Sequence, residues 1–83
     1  MVNLAASMPW DMDAKIIIHH GRKPREWAGT LADCLNVWLR LSVAAQRNAD
    51  IFVQRPLLGE SAIGPAMIAD LIALPDFQKR PLP

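Results

Sequence analysis

The sequence lacks most of the features that mark a secreted, membrane-spanning or disulfide-linked protein. Cys34 is its single cysteine, so the chain cannot form an internal disulfide or offer a metal a second thiolate. No apolar run approaches the roughly 18 residues that a membrane helix needs, and no basic region precedes an apolar stretch in residues 1–10. From these absences we expect a cytoplasmic protein that is neither secreted nor inserted into a membrane.

The chain also has no large excess of positive or negative charge. Nine Lys and Arg residues stand against eight Asp and Glu residues, which gives a formal net charge of +1 at pH 7. Such a chain has no overall field to draw it onto nucleic acid or onto an acidic membrane surface. Any electrostatic function must therefore come from a local cluster of charges.

Apolar residues, in contrast, are abundant for so short a chain. They make up 52% of the 83 residues, which is more than a core of this size easily encloses. We therefore expect one domain over residues 1–83, with its surplus apolar surface covered by another protein or by a second copy of the chain.

The order of the apolar segments predicts a small α/β domain of the type βαβα. The β-branched run of residues 14–20 predicts a buried strand, and residues 51–55 predict a second one. Between them, residues 25–46 contain no proline and carry apolar side chains at helical spacing, which predicts one long helix. Residues 65–74 predict a second helix that is buried nearly all round.

The predicted topology has a two-stranded parallel core, because two strands joined through a helix favour a right-handed crossover. Two strands make only a marginal sheet, so we expect dimerisation or an N-terminal strand to extend it. This is the main reason to expect a homodimer. The remaining segments are predicted to be a loop over residues 57–64 and partly irregular termini over residues 1–13 and 76–83.

One segment with chemical character, residues 19–25, joins the first predicted strand to the long helix. The positive end of a helix dipole disfavours cations at this place unless an anion binds there too. The alternative is a solvated loop whose charge Glu26 partly offsets, and the segment has no GxGxxG or P-loop pattern. The residues predicted to bind an anion or a partner are His19, His20, Arg22, Lys23 and Arg25.

No group of residues predicts catalysis, a metal or a cofactor. His19 and His20 are adjacent on a predicted strand and point to opposite faces, so they cannot readily ligate one ion. Cys34 lies within the apolar stripe of the predicted long helix, where a free thiol behaves as a small hydrophobic side chain. We therefore predict no catalytic residue, no metal and no cofactor.

Four large apolar residues are candidates for a contact surface. Trp27 and Trp38 are eleven positions apart, which is about three helical turns and places them on one face of the predicted long helix. Met67 and Leu71 pose the same choice between core and interface on the second predicted helix. Tryptophan is enriched at interface hot spots, which keeps the interface reading open beside the core reading.

Taken together, the residues favour a non-catalytic protein-binding module. The leading hypothesis is a small regulator or inhibitor, forming a homodimer, that occupies a surface on a larger protein. The alternative is a module in which the loop of residues 19–25 binds a phosphate ligand or nucleic acid. A small enzyme is the third reading, with no acid, base and nucleophile set to support it.

Overall fold

The computed structural model describes residues 8–78, which form an antiparallel sheet covered by helices on one face. A single chain supplies the complete sheet. The elements follow each other in the order β1 (Asp13–Ile18), β2 (Arg25–Thr30), α1 (Leu31–Leu39), α2 (Val43–Arg47), β3 (Ala49–Leu57), β4 (Glu60–Ile63), α3 (Pro65–Ile72) and α4 (Pro75–Gln78).

The sheet contradicts the predicted two-stranded parallel core. Its strand order is β2-β1-β3-β4, and every neighbouring pair is antiparallel. The physical reason is that residues 25–30 turn back beside β1 as a hairpin and do not start a crossover helix. Because four strands lie within one chain, the sheet does not need a second copy or an N-terminal strand to complete it.

A capping box decides where the first helix begins. The backbone N–H of Asp33 donates to the Thr30 hydroxyl at 3.1 Å, and the Thr30 N–H donates to the Asp33 carboxylate at 3.4 Å. These two bonds satisfy donors that a helix start leaves free, so α1 begins at Leu31. The residues before Thr30 stay extended, and the prediction of a helix from residue 25 is wrong.

The predicted C-terminal end of the long helix is also wrong. It stops after Leu39, and a second short helix begins behind Ser42, whose hydroxyl accepts a hydrogen bond from the Ala45 N–H at 3.2 Å. Trp38 and Gln46 hold the two helices together. The Trp38 indole N–H donates to the Gln46 carbonyl at 3.1 Å, and the Gln46 side-chain amide donates to the Trp38 carbonyl at 3.0 Å.

The segment predicted as a loop over residues 57–64 contains the fourth strand. Leu58 and Gly59 reverse the chain with φ values of 50° and 85°, and Leu57 then pairs with Glu60. Only glycine adopts such a φ without steric cost, so the leucine is held there by the closed hairpin. The strand predicted near residues 14–20 and the helix predicted near residues 65–74 are present as β1 and α3. The prediction that this helix is buried nearly all round is wrong, because α3 buries Ile68 and Leu71 and exposes its opposite side.

The core lies between the helices and one face of the sheet. Alternate residues of β1 are buried, and β3 begins with the same alternation, as expected for a sheet with one covered face. Trp10 and Phe77 are buried in this core, and their ring centroids lie 5.5 Å apart. The Trp10 indole N–H donates to the Asp76 carboxylate. The most deeply buried side chains are Ile16, Leu31, Cys34, Leu35, Ile51, Ile63 and Ile68.

The two halves of the chain repeat one arrangement, a hairpin followed by a helix. The first half is β1, β2 and α1, and the second is β3, β4 and α3. Because β1 and β3 pair antiparallel at the centre, β2 and β4 form the two edges of the sheet in equivalent positions. On the face away from the core, one row of paired residues crosses the whole sheet from edge to edge: Ala28, Lys15, Phe52 and Ala62.

Candidate functional site

The predicted anion-binding segment is the turn of the β1–β2 hairpin. No helix begins behind it, so the argument from a helix dipole at this position is wrong. Gly21 has a φ of 94°, a left-handed conformation that favours glycine at this point of the turn. All five predicted binding residues are exposed, and they form a basic hairpin tip: His19, His20, Arg22, Lys23 and Arg25.

Two further cations lie near this basic hairpin tip. Arg40 is the C-cap of α1 and lines a groove together with Trp27 of β2. Arg47 ends α2, next to Asn48, whose carbonyl accepts a hydrogen bond from the His19 N–H at 2.8 Å. Cations at helix C-termini are stabilised by the helix dipole, so both arginines suit their positions. Five of the seven Lys and Arg residues within 8–78 are therefore at this end of the sheet.

A groove of about 300 Å³ runs between β2 and α1. Trp27 forms one wall, and the indole ring lies across Gly29, where an added Cβ would come within 2.6 Å of its ring carbons. The side chain remains 42% exposed. The opposite wall is one face of α1, formed by residues at spacings of three and four: Asp33, Asn36, Val37 and Arg40.

The backbone of β2 has an open side. The Leu31 N–H donates to the Met12 carbonyl at 2.8 Å, which fixes the alternation of hydrogen bonds between β1 and β2. By that alternation the backbone groups of residues 25, 27 and 29 face β1, and those of Glu26 and Ala28 face outward. The Thr30 N–H also faces outward, but Asp33 accepts its hydrogen bond. Within residues 8–78, no strand lies beyond this edge.

The charged side chains along β2 differ between its two faces. Glu26 lies on the face away from the core and forms an ion pair with Lys15, with 3.2 Å between Nζ and Oε1. Arg25 lies on the same face as Trp27, beside the groove, and takes part in no ion pair with residues 8–78. The groove side of this edge is therefore the basic one.

The other predicted interface residues are not part of this groove. Trp38 is half-buried between α1 and α2, so the structure does not place it on one helix face with Trp27 as predicted. Leu71 is buried in the core. Met67 is half-buried and lines a separate cavity of about 180 Å³ together with Met8, Leu58, Asp70, Leu71 and Leu74.

The groove residues Asn36, Val37 and Arg40 were missed by the sequence reasoning. With a helix starting at residue 25, Trp27 would share a helix with them and could not face them across a groove. The pattern Thr30-x-x-Asp33 ahead of an apolar run is the signal that predicts a helix start at Leu31. With that boundary, residues 25–30 form a six-residue segment that suits a hairpin strand.

Cys34 has no chemical role that the structure supports. It is completely buried, and burial, followed by the nearby Asp33 charge, raises the pKa of its thiol to about 11. At neutral pH the side chain is a neutral, inaccessible thiol, as expected for a core residue. Among residues 8–78 no three His, Cys, Asp or Glu side chains come together in a way that could hold a metal ion.

Fold and groove together define a small domain of helices on one face of an antiparallel sheet, with a tryptophan groove along the edge strand β2. Comparisons of the chain with models of protein families, with curated proteins and with solved structures find no match. No helix in residues 8–78 is long and apolar enough to cross a membrane.

Proposed function

We propose that the chain is a non-catalytic protein-binding module, a small cytoplasmic regulator or inhibitor that occupies a surface on a larger protein. Its contact site is the β2 edge surface, which we define as strand β2 and the facing residues Asn36, Val37 and Arg40. The observation that carries the proposal is Trp27, a large aromatic side chain that is 42% exposed in a groove at a free sheet edge. Tryptophan and arginine are the residues most enriched at interface hot spots.

Gly29 makes room for the exposed ring of Trp27, although both the glycine and the exposed ring lower the stability of the fold. Glycine inside a strand weakens it by roughly 0.5–1 kcal/mol, yet a side chain at residue 29 would collide with the indole ring. The ring also leaves much of its apolar area in water, which forgoes burial energy of about 25 cal/mol per Å². A partner that covers the groove would recover that energy.

The basic hairpin tip supports a second candidate, a module that binds a phosphate ligand or nucleic acid. Five cations lie at one end of the sheet, and Arg22, Lys23 and Arg25 are exposed. Binding carried by many phosphate contacts weakens steeply as salt rises, whereas binding carried by a tryptophan with one or two nearby charges weakens much less. Salt dependence therefore separates the two candidates.

The direct test compares two exposed aromatic residues on different surfaces. Trp27 is 42% exposed in the groove, and Phe52 is 38% exposed on the open face of the sheet. Tagged full-length chains carrying Trp27→Ala or Phe52→Ala would be used to recover proteins from nuclease-treated extracts of the organism that encodes the chain. Circular dichroism would first confirm that both variants fold.

We expect one protein to be recovered with the unmodified chain and with Phe52→Ala, and to be lost with Trp27→Ala. Its affinity, remeasured with purified proteins, should fall far less steeply with rising salt than binding through many phosphate contacts does. Loss with Phe52→Ala alone would place the contact on the open face and contradict the proposal. Recovery only from parallel extracts without nuclease treatment, and lost as salt rises, would favour the second candidate.

A further inference from the structure

We infer that the partner contributes an extended acidic segment, which adds to β2 as a fifth strand of the sheet. This inference rests on the proposed function, because it names the partner element that the β2 edge surface binds. It goes further in specifying both the backbone pairing and the charge of that element.

The backbone of β2 provides the pairing. The N–H and C=O groups of Glu26 and Ala28 point away from β1, and no strand within residues 8–78 covers them. Exposed strand edges pair readily with other extended chains, which is the basis of recognition by strand addition. The edge is short, and it begins directly after Pro24, which has no N–H to donate. Two outward residues therefore supply the four hydrogen bonds that an added strand would use.

Charge complementarity indicates that the added segment is negatively charged. Side chains of an added strand that point to the covered face of the sheet would meet Arg25 and Trp27, and Arg40 stands across the groove. On the other face, Glu26 is already paired with Lys15. Carboxylates on the groove side of the segment would pair with the guanidinium groups of both arginines, which favours Asp and Glu at alternate positions.

The same observations favour an acidic protein segment over single-stranded nucleic acid. Surfaces that bind single strands stack successive bases on several aromatic rings, and this groove offers the ring of Trp27 alone. The carboxylate of Asp33 lies at the Thr30 end of the groove, where it would oppose a phosphate backbone that runs the whole length, whereas a peptide can place its carboxylates at the end with Arg25 and Arg40. A nucleic acid, moreover, would not use the backbone pattern of Glu26 and Ala28.

The repeated architecture of the sheet provides a matched pair of variants. Ala28 and Ala62 are exposed, belong to one row of the sheet, and lie on opposite edge strands. By the alternation of the ladders, both N–H groups point away from their neighbouring strands. Proline on a free edge removes such an outward donor and is tolerated there. Ala28→Pro thus blocks strand addition at β2, and Ala62→Pro applies the same change at β4.

The experiment uses random linear peptides of about ten residues, long enough to run the length of β2, displayed on phage and panned against the full chain. We expect the enriched peptides to be acidic. Synthetic copies should bind about tenfold or more weakly to Ala28→Pro and to Trp27→Ala, and unchanged to Ala62→Pro. Circular dichroism and thermal unfolding would confirm that the two proline variants fold alike.

Several results would overturn the inference. Enrichment of no peptide, or of neutral or basic peptides, would exclude an acidic segment, and an oligothymidine probe that binds with the same dependence on Trp27 would favour nucleic acid. Peptide binding that needs Trp27 but is unaffected by Ala28→Pro would exclude strand addition and leave the proposed function standing. Binding that is insensitive to Trp27→Ala would remove the proposed function itself.

Discussion

At the scale of single residues, the two tryptophans that share a helical spacing have different roles. Trp27 stands at the sheet edge and keeps much of its ring in water, whereas Trp38 packs against the core and bridges α1 to α2. The bridge is reciprocal, since Gln46 both accepts the indole N–H and donates to the Trp38 carbonyl. One residue therefore serves stability, and the other is available for binding.

This difference predicts unequal effects of truncation on stability. Trp38→Ala should lower the free energy of unfolding by about 3 kcal/mol, because it leaves a cavity and removes an indole hydrogen bond. Trp27→Ala should lower it by about 1 kcal/mol or less, since the side chain is only partly buried. Urea denaturation of both variants measures the difference. Equal losses, or a larger loss for Trp27→Ala, would mean that the indole of Trp27 is part of the core.

The raised pKa of the Cys34 thiol predicts that the free energy of unfolding depends on pH. Burial and the Asp33 charge raise the pKa of the folded thiol from 9.0 to about 11, so the folded state holds this proton at a pH where the unfolded state has lost it. The contribution is complete below about pH 9 and should be lost as pH rises toward 11. Urea denaturation across this range should show a steeper fall for the unmodified chain than for Cys34→Ala. Identical slopes would contradict the assignment.

At the scale of elements, the β3–β4 hairpin carries a local conflict in its turn. Leu58 has a φ of 50° and is 74% exposed, so it occupies a left-handed conformation without the benefit of burial. The neighbouring Gly59 has a φ of 85°, and two successive positive values normally call for Asn-Gly. The leucine is thus a less stable choice than asparagine for this turn.

We therefore expect Leu58→Asn to stabilise the protein by about 1 kcal/mol, which is the order of the cost of a left-handed leucine. Gly59→Ala provides a control of opposite sign, because it places a Cβ at a left-handed position and should destabilise by a similar amount. Thermal unfolding of the two variants gives both values. A lower melting temperature for Leu58→Asn would show that the exposed leucine makes a stabilising contact.

Part of the fold could be predicted from the sequence, because some elements carry an unambiguous pattern. The β-branched run of β1 and the proline start of α3 were sufficient to place both elements. Residues 25–30 were not placed, because Trp27, Ala28 and Leu31 fit a helical stripe as well as a strand that leads into a helix. The hairpin pairing with β1 decides between them, and the spacing of apolar residues within residues 25–31 does not contain it.

The candidate site was predicted in a similar, partial way. Arg25 and Trp27 were both singled out from the sequence, and the structure brings them together on the groove side of β2. Arg40 was missed, since its place opposite Trp27 depends on where α1 begins. Trp38 and Leu71 were singled out as well; Leu71 is buried in the core and Trp38 packs half-buried against it, so neither lines the groove.

At the scale of the whole molecule, charge and apolar surface are unevenly distributed. Five cations gather at the end of the sheet that bears the β1–β2 turn, while the net charge of the chain is only +1. The groove with Trp27 opens beside that basic end. This arrangement suits a binding protein that orients an acidic partner through local charge and holds it through one aromatic side chain.

The four-stranded sheet removes the main reason for which a homodimer was expected. A sheet of two strands would need a second copy, but the four strands within one chain form a sheet without it. A homodimer therefore stays a prediction, and the edge strands β2 and β4 are two of the surfaces that it could use. Pairing through β2 would compete with the partner proposed above, so oligomeric state and partner binding should be measured on the same samples.

Photo-crosslinking inside cells tests most directly whether a partner binds at the β2 edge surface. A photoreactive amino acid would replace Ala28, Phe52 or Ala62 in turn, because these three positions follow one row across the sheet from edge to edge. We expect a strong adduct with one protein from position 28, little from position 52 and none from position 62. An adduct that is strongest at position 52 or 62 would contradict this expectation.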